Sequence, residues 1–377
     1  MCTYTKIYIF VTICFYSVFF ILQMSVKNLS GIREIARLAG VSIGTVDRVL
    51  HNRGSVSPVS LKKIQAAIKQ INYQPNVIAR SLVVNKMFRF AAVVPEPGGD
   101  EYWEQTQKGF TTALKDWSHF SITVDLYQFK LHSKNSFTHA ANLALQSAPD
   151  GIVITPQFYH QSINFFDLCQ KAGMPYVTFN TYLHQAKGLS FIGTDSHLSG
   201  MVAADLLNMS MAAKSKIIVL HFDEDLVNSA HMIEKENGFR EYFQQFKNKA
   251  PQIDTMVLNN PTHNYPRELK KLAMSNEVGG IFVSTSKAYE IAGHIKLQEG
   301  KRIKIVGYDL LPKNIELMQS GAIDFLINQN PLQQARMGIN TLANHFLLKR
   351  KVKPKQFFPI EIISPYNLST YINNDDE

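Results

Sequence analysis

From Phe88 to the C-terminus, short runs rich in valine, isoleucine and phenylalanine alternate with stretches of helical length. The runs "FAAVVP", "ITVDLY", "GIVITP", "YVTFN", "KIIVLHF", "TMVLN", "GGIFVS", "KIVGYD", "DFLIN" and "FPIEIIS" read as strands. Helix-length segments separate most of them, among them Glu104–Trp117, Phe137–Gln146, His197–Met211 and Ala230–Phe246. Strands apolar on both faces and separated by helices belong to parallel sheets covered on each side. The rhythm runs long enough for two sheets of similar size, with a seam near residues 195–215. At 45% hydrophobic and 18% charged, the chain has apolar side chains enough for large cores. Its 377 residues leave room for two or three domains.

Charge divides the chain differently. The formal net charge is +9, and Met24 to Arg89 alone hold 11 Lys/Arg against two acids, Glu34 and Asp47. Residues 90–377 hold 27 basic and 28 acidic side chains. A short basic segment ahead of a neutral body is what a nucleic-acid headpiece requires. Before it, Ile7–Leu22 is an apolar run of 16 residues, short of the roughly 20 that a spanning helix needs. It also lacks the charged start and small-residue cleavage site of a signal peptide. It reads as an extension upstream of a start at Met24; a membrane anchor and an export signal are the competing readings. A DNA-reading segment just behind it has to stay in the cytosol, so the expected location is cytoplasmic, with no membrane partner. Of three cysteines, Cys2 and Cys14 lie in this leader and Cys169 stands alone in the body. That leaves no disulfide framework and no Cys-rich metal site, and a reducing compartment fits.

Between Gly31 and Tyr73 the pattern is helical. Ile32, Ile35, Ala36 and Ala39 keep the 3.6 spacing up to Gly40. Ser42 is placed to cap a second helix with Val46, Val49 and Leu50 on one face. Ser57 and Pro58 open a third, with Leu61, Ile64, Ala67, Ile68 and Ile71 inward. Two short helices joined by "AGVS" make a helix-turn-helix, whose second helix enters a major groove. Ser42 and Thr45 at its start can bond phosphate oxygens, where the helix dipole helps. Arg48 is long enough for a phosphate or a guanine edge.

The stretch from Ile32 to Leu82 resembles the LacI family of bacterial transcription regulators. The matching residues are Ala36, Ala39, Gly40, Val41, Ser42, Thr45, Val46, Arg48, Val49, Leu50, Val56, Tyr73, Pro75, Asn76, Ala79 and Leu82. The body resembles the periplasmic-binding-protein fold that this family borrows, two lobes with a ligand between them. The resemblance implies that Ile43 and Gly44 occupy base-reading positions, where neither offers a polar group, leaving more to Arg48 and to DNA shape. Asp47 stands where a serine is common; it can accept from a cytosine amino group, pair with His51, or repel wrong sites. Asn52 and Ala79 are further DNA-contact positions. "NVIARSL" resembles the family's hinge helix, with Leu82 as the residue that wedges into the minor groove.

In the body the resemblance implies an effector site. Tyr102 and Trp103 stand where sugar-stacking aromatics lie, and Asn180, Thr181, Thr285, Asp309 and Gln329 stand at strand ends. Such groups suit a polyhydroxylated ligand, with Asp309 bridging two hydroxyls under an aromatic. Asp309→Ala is then expected to cost binding while leaving the fold intact. One departure is Lys235, three residues before Gly238, where the family usually has arginine; lysine lacks the bidentate fork, which leaves the effector open.

The expected fold is a small all-α helix-turn-helix headpiece, residues 24–74, and a hinge over 75–87. An α/β body of two Rossmann-like lobes follows over 88–377, with 1–23 outside the functional protein. The expected function is a ligand-responsive, sequence-specific transcriptional regulator, a repressor. It would work as a homodimer on pseudo-palindromic operator DNA and sense a sugar or related polyol, with no cofactor and no metal. No phosphate-binding GK[ST] loop or H-E-x-x-H pair points to an enzyme. The alternative, a secreted or anchored sugar-binding protein, has no use for the basic headpiece.

Overall fold

The computed structural model describes residues 31–50, 56–71, 73, 87–212, 215–222, 229–246, 250–258, 265–295 and 302–372. It divides into two compact units, Met1–Lys86 and Met87–Glu377. The leader, Asn52, and the hinge positions Ala79 and Leu82 lie outside the described residues.

In the first unit, α1 (residues 31–39) ends at Gly40, whose φ of +64° turns the chain into α2 (Ile43–Leu50). The Ser42 hydroxyl caps α2 by accepting from Thr45 N–H at 3.2 Å. α3 (Pro58–Gln70) opens on a Ser57 cap with proline in its first turn. Ile35, Ala36, Ala39, Val46, Ile64 and Ala67 form the core. Leu61, expected inward, is 37% exposed: the core closes around Ile64 and Ala67 and does not reach the first turn of α3.

The second unit holds two sheets. β1 (Phe88–Pro95), β2 (Ile122–Phe129), β3 (Gly151–Ile154), β4 (Tyr176–Phe179), β5 (Ser190–Gly193) and β11 (Lys355–Phe357) run parallel in the order β11-β5-β4-β3-β1-β2. β6 (Lys216–Phe222), β7 (Ile253–Leu258), β8 (Val278–Val283), β9 (Lys304–Tyr308) and β10 (Phe325–Asn328) repeat that order, with β12 (Glu361–Ile363) antiparallel to β10. The helices are α4 (Glu101–Asp116), α5 (Lys134–Gln146), α6 (Tyr159–Lys171), α7 (Ser196–Ser210), α8 (Ala230–Gln244), α9 (Tyr265–Met274), α10 (Ala288–Ala292), α11 (Pro312–Gln319), α12 (Pro331–Phe346) and α13 (Ser369–Ile372).

Strand alternation builds both faces of the first sheet. Ala91, Val93, Ile152 and Ile154 pack with Phe137 of α5 and Phe165 of α6, whereas Phe90, Ala92, Val94 and Val153 pack with Phe110 of α4 and Ile339 of α12. The second sheet repeats this, with Ile218 and Leu220 on one side and Ile217 and Val219 on the other.

The chain crosses between lobes three times, not once. β5 closes the first sheet at Gly193, and α7, from Ser196, already packs Ala203 and Leu207 against Val219 and Phe282 of the second. α12 then returns Ala335 and Leu342 to the first lobe. Finally β11 joins the first sheet and β12 the second, so "FPIEIIS" is part of a crossover with one short strand rather than a full strand. α7 and α8 cross closely, because a Cβ on Gly238 would collide with the His197 carbonyl and one on Gly200 with the Lys235 carbonyl. No helix among the described residues is long and apolar enough to cross a membrane.

Candidate functional site

α2 turns Ser42, Ile43, Gly44 and Arg48 outward, while Thr45 and Asp47 are half-buried and Val46 anchors the helix in the core. Ile43 is 51% exposed, an apolar side chain displayed at the helix start. The Ser42 hydroxyl also lies 2.9 Å from Thr45 Oγ1, so the two hydroxyls form one polar end to the helix. Arg48 has no ion-pair partner among the described residues. The small helix thus offers a cation, two hydroxyls and an isoleucine on its open side.

In the body, the carboxyl ends of both sheets face a cavity whose empty space is about 560 Å³, part of it open to solvent. From the first lobe come Asp100, Tyr102 and Trp103 after β1, Gln157 after β3 and Asn180 after β4. From the second come His231 and Lys235 on α8, Ser284 to Lys287 after β8, and Gln329 after β10. The Asp100 carboxylate caps α4 by accepting from Tyr102 N–H at 3.0 Å, which fixes the two aromatics behind it. Tyr102 and Trp103 meet edge to face at 4.9 Å, and Leu311 of the other lobe joins their cluster.

The polar floor is a chain of hydrogen bonds. Lys235, 2% exposed, donates from Nζ to the Ser284 carbonyl at 3.0 Å and to Gln329 Oε1 at 3.3 Å, and lies 3.6 Å from the centre of the Tyr308 ring. The Gln329 amide passes the polarity on, donating from Nε2 to Asp309 Oδ2 at 2.7 Å. Asp309 also accepts from Gln329 N–H at 2.9 Å and from Ser286 Oγ at 2.7 Å. Burial raises its carboxyl above the ordinary range, against these hydrogen bonds and the charge of Lys235. A cation and an anion therefore hold one glutamine amide in a fixed orientation.

Six of the eight expected effector residues line this cavity: Tyr102, Trp103, Asn180, Lys235, Thr285 and Gln329. Asp309 and Thr181 do not. Asp309 stands behind Gln329 with both oxygens engaged, and Thr181 is 1% exposed with no hydrogen-bond partner for its hydroxyl among the described residues. Asp309 was expected to bridge two ligand hydroxyls; in this structure its oxygens hold Gln329 and Ser286.

The sequence reading missed several groups. Asp100 precedes "EYW" as a helix cap, Gln157 lies in the loop after β3, and His231 sits four residues before Lys235 on α8. Burial, Lys235 and His221 together push the His231 imidazole well below its ordinary value, so it faces the cavity neutral. Burial raises the Asp100 carboxyl, against its backbone hydrogen bonds and the charge of Lys287 from the opposite lobe. Beneath the floor, His221 Nδ1 lies 2.8 Å from Ser284 Oγ and Nε2 2.6 Å from Glu236 Oε2. The Ser284 hydroxyl is fully buried and also reaches the Leu220 carbonyl at 3.3 Å, so this line of groups braces the β8 loop.

Comparison with known proteins sorts the two units. Residues 31–76 match the model of bacterial regulatory proteins of the lacI family, and residues 90–350 match that of the periplasmic binding protein domain. The chain belongs to the LacI family. The sucrose operon repressor of Pediococcus pentosaceus is 23% identical over 349 residues, which is 89% of this chain and 98% of that protein. The regulator MalR of Streptococcus pneumoniae is 40% identical over 97 residues, 25% of this chain and 29% of its own. A crystal structure assigned as a LacI transcriptional regulator from Bacteroides fragilis aligns with a TM-score of 0.71 at 27% identity, over 76% of this chain and all of that one. The body's fold is shared with a solute-binding protein from Agrobacterium vitis bound to alpha-D-tagatopyranose, at a TM-score of 0.63 and 21% identity, over 75% of this chain and 96% of that one. As a LacI-family protein, the chain is a ligand-responsive, DNA-binding transcriptional regulator.

Proposed function

We propose that this LacI-family regulator is a cytoplasmic repressor whose effector is a sugar or related polyol held in the cleft between its two lobes. The observation that carries the reading is the cleft floor: Lys235, Gln329 and Asp309 form one ordered polar chain, and its Lys235 and Gln329 line the same cavity as Tyr102 and Trp103. Fixed donors and acceptors opposite an aromatic pair suit a ring with hydroxyls on its edge and C–H groups on its face. Sugar-named relatives support the same class. Asn180, Thr285 and Gln329 supply hydrogen bonds to the ligand, and Lys235 orients Gln329. On the DNA side, Ser42 and Thr45 bind phosphate, Arg48 binds phosphate or guanine, and Ile43 packs on a thymine methyl. Asn52, Ala79 and Leu82 complete the interface, with Asp47 tuning it. Since one headpiece reads a half-site, a homodimer matches a two-fold operator.

The chain has two tryptophans, Trp103 in the cleft and Trp117 at the end of α4, so intrinsic fluorescence reports occupancy. Titrating the full chain with a panel of pentoses, hexoses, disaccharides and inositols is expected to yield a saturable change with at least one, lost in Trp103→Phe and kept in Trp117→Phe. If no sugar or polyol binds while a molecule of another class co-purifies in the cleft by mass spectrometry, the effector class is wrong.

A further inference from the structure

The turn after α12 reads "KRKVKPK", residues 349–355, five cations in seven residues with no acid among them. Lys349, Arg350, Lys351, Lys353 and Lys355 are all exposed, and none has an ion-pair partner among the described residues. The backbone beneath them is fixed. Arg350 N–H donates to the Asn344 carbonyl at 3.1 Å, Ser190 Oγ donates to the Lys353 carbonyl at 2.8 Å, and Phe191 N–H donates to the Pro354 carbonyl at 2.9 Å. These cations therefore stand on a built ledge rather than on a tail. Lysines along an edge strand deter pairing with other chains, which accounts for Lys353 and Lys355 beside β11. It leaves Lys349, Arg350 and Lys351 unexplained, although gathering like charges costs stability.

The location supplies the reason. The Phe346 ring, at the end of α12, lies 5.9 Å from Phe88 and 6.0 Å from Phe90. Phe88 opens β1, the first strand after the segment that arrives from the headpiece. Lys355 opens β11, which runs parallel to β5, so the turn lies at the amino ends of the strands, away from the cleft at their carboxyl ends. Only thirteen residues, 74–86, separate the described headpiece from Met87, a span of at most about 45 Å. DNA held by the headpiece is thereby within reach of this edge of the body.

We propose that the 349–355 turn docks on the phosphate backbone of DNA flanking the operator, a second, sequence-independent contact made by the effector-binding body. The inference rests on the DNA-binding reading of the family. The chemistry fits phosphate: exposed point charges without a groove or a fork aimed at base edges add affinity but no sequence information. Effector binding that shifts the lobes would then alter this contact directly, besides any effect on the headpieces.

The test compares the full chain with a variant carrying Lys349→Gln, Arg350→Gln, Lys351→Gln and Lys353→Gln. The probes are an operator selected from random duplexes, trimmed to the headpiece footprint, and the same operator extended by about 20 base pairs on each side. Each phosphate contact contributes about 0.9 to the slope of log K against log salt. Loss of two contacts should flatten the slope on the extended duplex by about 1.8 units, so that lowering salt from 200 to 50 mM gains the variant about tenfold less affinity than wild type. On the trimmed duplex the two proteins should agree, and an unchanged melting temperature checks the fold. Equal slopes on both duplexes would overturn the proposal and leave an acidic protein as the partner. An equal loss on both would also overturn it, because the turn would then act as a distant field rather than a flank contact. Failure of wild type to select any operator would instead defeat the family reading.

Discussion

Replacing Asp309 probes the cleft floor where the structure departs most from the sequence expectation. In Asp309→Ala three donors lose their acceptor: Gln329 N–H, Gln329 Nε2 and the Ser286 hydroxyl. Each buried donor left unsatisfied costs about 1–3 kcal/mol, and the three share one network, so their costs do not add in full. The buried Lys235 also loses an opposing charge. Asp309 has a φ of +67°, a conformation that costs alanine roughly 1 kcal/mol more. A loss of about 4 kcal/mol follows, or roughly 8–16 °C in melting temperature at 2–4 °C per kcal/mol. The fold is therefore not expected to remain intact in that variant, contrary to the reading from sequence. Asp309→Asn is the sharper probe, since asparagine tolerates the backbone. Its amide must nonetheless set a donor against either Gln329 Nε2 or Gln329 N–H, because Lys235 keeps Gln329 from flipping. That single conflict costs about 1–3 kcal/mol. Calorimetry of the ligand-free full chain decides it: Asp309→Asn melting with wild type would refute the fixed-amide argument.

Gly238→Ala drives a Cβ into the His197 carbonyl; a melting temperature several degrees lower is expected, from about 1–3 kcal/mol of overpacking, with weaker effector binding because α8 carries Lys235. Glu236 is pushed upward by burial, but hydrogen bonds from His221, Thr255 and Arg240 outweigh this and bring it from 4.5 to about 2. Its folded pKa lies below its unfolded value, so its contribution, about 3 kcal/mol at most, is present above pH 4.5 and lost as pH falls toward 2. Glu236→Gln should flatten the acid-unfolding profile across that window, and a profile parallel to wild type would contradict it. Arg48→Ala should lower the salt slope on operator DNA by about one unit if its partner is a phosphate; an unchanged slope with relaxed specificity would place it on a base instead.

Most of the fold was legible because periodicity reports which faces a segment buries. The Val/Ile runs of β1 and β6 are apolar on both faces, and each proves to be an inner strand of a parallel sheet, next to the edge strands β2 and β7. Periodicity does not report which sheet a strand joins. "SFIG" has only two large apolar residues and no alternation, so β5 was not expected, although the first crossover, between Gly193 and Ser196, falls at the start of the seam expected near 195–215. β11 is an edge strand of three residues, two of them exposed, held by the neighbouring β5 rather than by its own pattern.

The site was legible to a different depth, and backbone geometry explains where that depth ends. Asn180 follows β4 with φ +69°, Asp309 follows β9 with φ +67°, and Asn330 precedes α12 with φ +56°. Leaving a strand through the left-handed region selects asparagine and aspartate on conformational grounds alone. A carboxylate or amide at a strand end can thus be there for a ligand or for its own backbone, and the sequence shows both alike. The structure separates them by where the polar atoms go. Asn180 lines the cavity, whereas both Asp309 oxygens are taken by Gln329 and Ser286. On the proposed function, specificity in this cleft passes through Gln329, whose amide is bonded to Lys235 at one end and Asp309 at the other. A ligand hydroxyl meeting that glutamine would encounter a dipole oriented by Lys235 on one side and Asp309 on the other.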